Sequence, residues 1–459
     1  MKNNKLLWSF VIIMLTTCQM KTFGQTEIVS SAPVTDPIIK TIVRHYQNDD
    51  VISYVQTDSN SYFTLSDAQT YHKIATIDHR FVVNDMEIYK GHVYFCGVDN
   101  ASQTGFIGFF RITDFFNGTD FYRIFSCIPY SSSTTVFVSD LNRLTVFKNN
   151  SGLHVAAIGH VDDPNNSSCI VDYLPHATTG NNYSVGIASA TGIQSDFLDI
   201  TSTDNYVVVS DMVMSGMPTL RAFDINNLFA TGGIQDYQYL FCEYLDNMIF
   251  NYDDLLIEHI NSDIVATATY WKDQTSSNMF DGTNIRFFDI NQMLTIPYMG
   301  MLYSFGIHQP FCFGIWELYE LRNDPNNQCL YLLQRADEPS APRRNACFVN
   351  EFHYSFYPPT GLVNGCYIPS YMSQSLDVFN SYSISTGYNV SNNDNLKYHL
   401  KSSFQQGGCS TTVFYSYSNY HVSQNKIDYS PLNVYSSELY PVMLWSRVDE
   451  NEISIVCYN

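Results

Sequence analysis

An all-β fold is predicted by three features of this 459-residue sequence: few charges, many aromatic rings, and short apolar–polar alternations punctuated by turn residues. Charged residues make up 15% and aromatics also 15%, with Tyr 34 and Phe 31, whereas soluble domains ordinarily carry about 25% charge. Aromatic and β-branched side chains suit the half-buried pleated surface of a sheet. An apolar share of 45% provides for a large core and excludes disorder, collagen and a small disulfide scaffold. Lys plus Arg number 23 against 44 Asp plus Glu, a formal charge of −21. That balance disfavours nucleic acid and anionic lipid as partners.

In chain order, residues 1–24 read as a signal peptide. Lys2 and Lys5 precede a ten-residue stretch, Leu6 to Leu15, that is apolar apart from Ser9, and Thr22-Phe23-Gly24 offers small residues for cleavage before Gln25. Ten residues fall short of the roughly 20 that cross a bilayer as a helix, so the mature chain is expected to be exported without a transmembrane span. Leu15-Thr16-Thr17-Cys18 resembles the lipid-attachment box of bacterial lipoproteins, with Thr17 departing from its usual Gly, Ala or Ser. Cys18 is therefore a candidate lipidation site, and the expected location is periplasmic, secreted or tethered to the outer membrane. The Lys/Asn leader followed by Gln25 resembles those of exported proteins from Bacteroidetes bacteria.

Residues 25–459 read as one domain built of hairpins. Val51 to Leu65 turns at Asp58-Ser59-Asn60, Met86 to Cys96 at Lys90-Gly91, and Leu141 to Ile158 at Asn149-Asn150-Ser151-Gly152. Phe197 to Val209 turns at Thr203-Asp204-Asn205, Leu255 to Ala268 at Asn261-Ser262-Asp263, and Trp316 to Leu333 at Asn323-Asp324-Pro325-Asn326. These turn residues tolerate tight or left-handed backbone.

A second element repeats. Phe110-Arg111-Ile112, Phe223-Asp224-Ile225 and Phe288-Asp289-Ile290 each set Phe and Ile two apart, on one face of a strand, with Asp or Asn following to open a turn. Their spacing indicates a period near 55 to 65, with Cys169 to Tyr173 standing where a degenerate copy belongs. Repeats holding several short strands resemble the β-propeller superfamily, whose sheets bury their faces only on one another. The resemblance implies a β-propeller of seven blades at about 58 residues each, with tandem β-sandwich domains as the alternative. No Trp-Asp follows Gly91-His92 or Gly159-His160, so the WD type is not supported. The terminal run Ile453 to Tyr458 is expected to pair with an N-terminal strand and close the ring.

Of the eleven Cys, ten follow Cys18 and none forms C-x-x-C, which removes the zinc-ribbon and thioredoxin readings. The choice lies between disulfides, with a local staple among Cys312, Cys329, Cys347 and Cys366, and buried free thiols acting as small hydrophobes. H-E-x-x-H, G-x-S-x-G and the phosphate-binding glycine motifs are absent, so no catalytic residue and no metal ligand is assigned. His308 and Cys312 read as packed residues. Cofactors are expected to be none, Ca²⁺ being the single candidate through acidic pairs at presumed turns: Asp49-Asp50, Asp162-Asp163 and Asp253-Asp254. Arg343-Arg344 reads as a solvated loop tip. Tyr270, Trp271 and Trp316 are the candidate ligand-binding residues, since such rings stack on sugars and anchor interfaces. The expected function is an exported propeller that binds a glycan, peptide or envelope partner protein without catalysis. The alternative is a polysaccharide hydrolase or lyase whose acids are dispersed across blades.

Overall fold

The structure, a computed structural model, describes residues 25–30, 38–45, 51–66, 71–115, 121–126, 137–162, 167–176, 183–187, 195–213, 217–226, 238–241, 250–273, 281–295, 301–308, 316–324, 328–336, 346–356, 359–369, 371–379, 382–389, 397–405, 408–417, 427–429, 444–448 and 453–458. After residue 354 the strands are described by backbone alone. Following β1 (Gln25–Ser30), the chain runs through seven four-strand antiparallel meanders. The first comprises β2 (Ile38–His45), β3 (Val51–Thr57), β4 (Ser61–Ser66) and β5 (Tyr71–Ile77). The second comprises β6 (Phe81–Tyr89), β7 (His92–Asp99), β8 (Thr104–Arg111) and β9 (Tyr122–Ser126), the third β10 (Val138–Asn149), β11 (Gly152–Val161), β12 (Ser168–Tyr173) and β13 (Tyr183–Ile187). The fourth comprises β14 (Ser195–Ser202), β15 (Tyr206–Val213), β16 (Met217–Asp224) and β17 (Gln238–Phe241), the fifth β18 (Phe250–Asn261), β19 (Ile264–Asp273), β20 (Asp281–Asp289) and β21 (Met301–His308). The sixth comprises β22 (Trp316–Asp324), β23 (Cys329–Ala336), β24 (Ala346–Phe356) and β25 (Pro359–Pro369), the seventh β26 (Tyr371–Phe379), β27 (Tyr382–Asn389), β28 (Lys397–Gln405) and β29 (Gly408–Tyr417). Three short strands end the chain: β30 (Ile427–Tyr429), β31 (Leu444–Val448) and β32 (Ile453–Tyr458). Two short helices, α1 (Ile112–Phe115) and α2 (Ile290–Thr295), follow β8 and β20.

The first strand of each meander lies beside the first strand of the next, from β2 through β6, β10, β14, β18 and β22 to β26. Strand β30 lies beside β26 and pairs in parallel with β2, Thr41 opposite Ile427, which returns the circle to its start. The chain is thus a β-propeller. Tandem sandwiches would pack their sheets in pairs rather than in a circuit. The two chain ends meet in a further sheet: β1 pairs antiparallel with β32, Gln25 opposite Tyr458, and β31 completes it beside β2.

Hairpin geometry follows the turn chemistry. Lys90 and Gly91 both take positive φ, 45° and 76°, the geometry of a tight two-residue hairpin turn. Ser262 takes the same left-handed region at 42°. Five of the six expected hairpins join first to second strands, while Val51 to Leu65 joins second to third. Every first strand also carries a bulge near its start, between Ile38 and Lys40, Val83 and Asp85, Leu141 and Arg143, Phe197 and Asp199, Tyr252 and Asp254, Leu318 and Glu320, and Ser373 and Ser375. Asp253-Asp254 therefore sits inside β18 at its bulge, not in a turn as expected.

The core lies between sheets. Each described apolar cluster is shared by two successive meanders, because side chains two apart point to one face and their neighbours to the other. Val155 and Ala157 pack toward the second meander, Ala156 and Ile158 toward the fourth. Phe288 faces the fourth meander and Phe287 the sixth. Phe110, Phe223 and Phe288 occupy equivalent buried sites against the preceding sheet, opposite Val93, Val207 and Val265 in register. The Ile two residues on donates its backbone N–H to the carbonyl of the hairpin turn: Ile112 to Gly91, Ile225 to Asn205 and Ile290 to Asp263, each at 3.0 Å. Tyr354 donates in the same way to Gln328, also at 3.0 Å, and Phe352 faces Leu330, so Phe352-His353-Tyr354 is a further copy. Tyr173, opposite Val155, fills the position in the third meander, where the degenerate copy was expected.

Candidate functional site

Apart from β2, which pairs with β30, the first strand of each meander has one edge with no strand partner, whose N–H and C=O groups need partners. Side chains of the preceding meander supply them. Asp85 Oδ2 accepts from the Leu144 N–H at 2.9 Å, Glu87 Oε2 from the Val146 N–H at 2.9 Å, and Asp199 Oδ2 from the Ile257 N–H at 3.4 Å. Arg44 donates to the Met86 carbonyl and to Asp85 Oδ1 at 2.8 Å. Burial, with the neighbouring Asp85 charge adding to it, pushes the Glu87 carboxyl up to about 8. These inner acids are tied to backbone, which is the chemistry of a joint between blades.

Other buried charges are paired as well. His154 sits between Asp172, at 3.0 Å, and Asn149, at 2.8 Å, and Arg221 donates to Asp211 at 2.7 Å. Asp263, in the turn after β18, accepts from Thr203 Oγ1, the Asn205 backbone and side chain, and Asn291 Nδ2 at 2.6–3.0 Å. Burial raises its carboxyl, but these four bonds outweigh that and hold it below the usual carboxylate value.

One cluster has a different composition. Cys329 opens β23 and stands opposite His353 of β24, while Tyr331 stands opposite Glu351. Leu330, Leu332, Phe352 and Tyr354 point into the core shared with the fifth meander. The alternate residues Cys329, Tyr331, Glu351 and His353 therefore share the other face, turned to the seventh meander. Cys329 Sγ lies 3.0 Å from His353 Nδ1 and 3.8 Å from Nε2. Nε2 lies 3.1 Å from Glu351 Oε2, and Tyr331 donates its hydroxyl to Glu351 Oε1 at 2.8 Å. The His353 side chain is 45% exposed and Glu351 only 2%.

This is a thiol, imidazole and carboxylate in one chain of contacts, yet not an activated nucleophile. Burial, then the charges of Glu351 and Asp324, push the Cys329 thiol up to about 12, and the residue is fully buried. A nucleophilic thiol needs the opposite, a lowered pKa and an open approach. Cys96, Cys169 and Cys329 are buried thiols outside any disulfide, so Cys329 forms no part of a staple. Cys347 faces Ile368 and Cys366 faces Val349 in register, and Cys312 lies outside the described residues.

The candidate aromatics lie elsewhere. First-to-second-strand turns gather at one axial end of the ring; first strands begin, and second strands finish, at the other. Tyr270 and Trp271 come near the finish of β19, opposite Asp254 and Tyr252, and Trp316 begins β22, opposite Ala336. All three thus sit toward the same end of adjacent meanders, away from Cys329 and His353. Their side chains lie outside the described residues. Counted from the residues opposite the Phe copies, Val207, Val265 and Leu330, the position of Asp211 and Gln334 is held in the fifth meander by Thr269, all three buried, and Trp271 lies two residues further toward the strand end. Cys18, Asp49-Asp50, Asp163 and Arg343-Arg344 also lie outside the described residues; Asp162 follows β11, and His308 ends β21. Sequence reading missed the Cys329–Glu351–His353 group because its members are separated along the chain and are joined only by strand register. The sole local signal was the aromatic pair flanking His353.

No family model matches the sequence, and no curated protein matches it. Among solved structures, the chain is similar to the WD40 domain of SCAP from fission yeast, at 8% identity and TM-score 0.48, over 95% of this chain and 98% of that one. It is similar to Hsv2 of Kluyveromyces lactis, at 10% identity and TM-score 0.46, over 84% and 99%. It is also similar to the β-propeller domain of the trilobed protease from Pyrococcus furiosus, at 8% identity and TM-score 0.43, over 83% and 96%. Likeness at this level assigns no activity; the strand order itself establishes the propeller.

Proposed function

We propose that the chain is an exported binding propeller that recognises a glycan, peptide or envelope partner protein at the end of the ring where the first strands begin. The observation that carries this reading is the common axial position of Tyr270, Trp271 and Trp316 in successive meanders. Loops on a rigid scaffold at such an end are where recognition is ordinarily built. Support also comes from the inner carboxylates: Asp85, Glu87 and Asp199 accept from backbone N–H groups rather than standing as a free acid pair.

The test is a glycan and peptide array combined with a hydrolysis screen on the purified mature chain. A retained ligand without turnover is expected, and Tyr270→Ala with Trp316→Ala should weaken retention at least about tenfold, since aromatic anchors carry about 2 kcal/mol or more. Unchanged thermal unfolding would show that the fold survives. Released product would overturn the reading in favour of a polysaccharide hydrolase or lyase.

A further inference from the structure

We propose that Cys329, Glu351 and His353 form a binding site for a divalent transition-metal ion of zinc type, at the turn end of the sixth meander and opposite the aromatic end. One donor atom from each of the three residues lies within 4.8 Å of the others. A thiolate, an imidazole nitrogen and a carboxylate oxygen are the donors zinc takes, whereas calcium and magnesium take oxygen alone.

By separation alone, Nε2 fits as the imidazole donor better than Nδ1. Bonds of roughly 2.0–2.3 Å around a tetrahedral ion place a sulfur and a nitrogen donor about 3.6 Å apart, and a nitrogen and an oxygen donor about 3.4 Å apart. Observed separations are 3.8 Å from Cys329 Sγ to Nε2 and 3.1 Å from Nε2 to Glu351 Oε2. Nδ1, at 3.0 Å from Sγ, is too close to share an ion with it in that geometry. Sγ lies against the Nδ1 side of the ring and Oε2 beside Nε2, so seating one ion among Sγ, Nε2 and Oε2 asks the half-exposed His353 ring to turn until Nε2 faces both other donors.

The surroundings match what metal ligands receive from their neighbours. The Tyr331 hydroxyl donates to Oε1 of Glu351, which orients the carboxylate with Oε2 beside His353 Nε2. Both strands are fixed by continuous pairing, from Cys329–His353 through Ala336–Ala346, so the donors sit on rigid sheet rather than loop. Asp324 stands opposite Cys329, and Arg322 opposite Tyr331. A buried thiol among carboxylates is unfavourable as a thiolate, and a divalent cation reverses that balance. On binding, Cys329 gives up its proton to solvent and the sulfur–metal bond takes its place, so uptake releases one proton from the thiol. Three protein donors leave a fourth tetrahedral position for water.

The experiment is titration of the full, reduced, chelator-treated chain with Co²⁺ and then Zn²⁺. One Co²⁺ per chain is expected, with an intense near-ultraviolet thiolate-to-cobalt band that Zn²⁺ abolishes. Cys329→Ser should remove the band, and His353→Gln and Glu351→Gln should each weaken affinity at least tenfold. Tyr331→Phe should weaken it about tenfold as an orienting neighbour. Absence of the band in folded protein, or equal affinity in His353→Gln, would overturn the proposal. His353 is half-exposed, so that variant remains informative even if Cys329→Ser fails to fold. Ligand retention at the aromatic end is a separate readout, and failure of either leaves the other standing.

Discussion

His160 shows at residue scale how charge holds neighbouring sheets together. Its Nδ1 lies 2.9 Å from Asp140 in its own meander and its Nε2 3.5 Å from Asp196 in the next. The bonds to Asp140 and Asp196 outweigh burial and raise the imidazole to about 10. The folded chain therefore binds this proton more tightly than the unfolded one, whose histidine titrates near 6.5. Stability from the pair is fully present below about 6.5 and is lost as pH rises through about 10. Glu87 acts in the same direction over a lower window, since its protonated form is favoured in the fold up to about 8. The urea midpoint of wild type should accordingly fall between about pH 6.5 and 10, and His160→Gln should flatten that slope. Identical slopes in the two proteins would refute the assignment.

At the scale of the element, the recurring device is the bulged first strand leaning over its partner. Gly97 and Gly159 face Val83 and Leu141 across the bulge. A Cβ at Gly97 would come within 1.8 Å of the Val82 carbonyl oxygen, and one at Gly159 within 2.0 Å of that of Asp140. Both obstructions are backbone, which has little freedom to withdraw. Gly159→Ala should therefore destabilise the chain by about 1–3 kcal/mol or more, the usual range for overpacking, read as a drop in urea midpoint with an unchanged slope. An unchanged midpoint would show that the close approach is not obligatory. The hairpins were legible in sequence because their turns demand particular residues, Lys90-Gly91 and Asn261-Ser262-Asp263 among them. The Phe-x-Ile copies were legible because one buried site recurs. The bulges were not, since the residue after each one, Lys40, Asp85, Arg143, Asp199, Asp254, Glu320 or Ser375, shares a geometry and no chemistry. Cys329 and His353 escaped notice for a related reason: register between strands brings them together, and no local pattern encodes register at that range.

Across the whole molecule, sheets that share every described core with a neighbour have no independent stability, so the circuit must close. Closure rests on the two ends of the chain. Strand β30 completes the inner circle against β2, and β32 takes β1 from the far terminus. The expected pairing of Ile453 to Tyr458 with an N-terminal strand is found, Thr26 opposite Cys457 and Glu27 opposite Val456. Successive pairs along an antiparallel ladder alternate between wide and narrow, so one of these two suits a disulfide. The decisive measurement is cross-linking with Thr26→Cys against Cys457 and with Glu27→Cys plus Val456→Cys, read by mass spectrometry of unreduced peptides. A ring closed by its termini predicts a linked peptide in one of the pairs and a raised unfolding temperature; free, reactive thiols in both would contradict it.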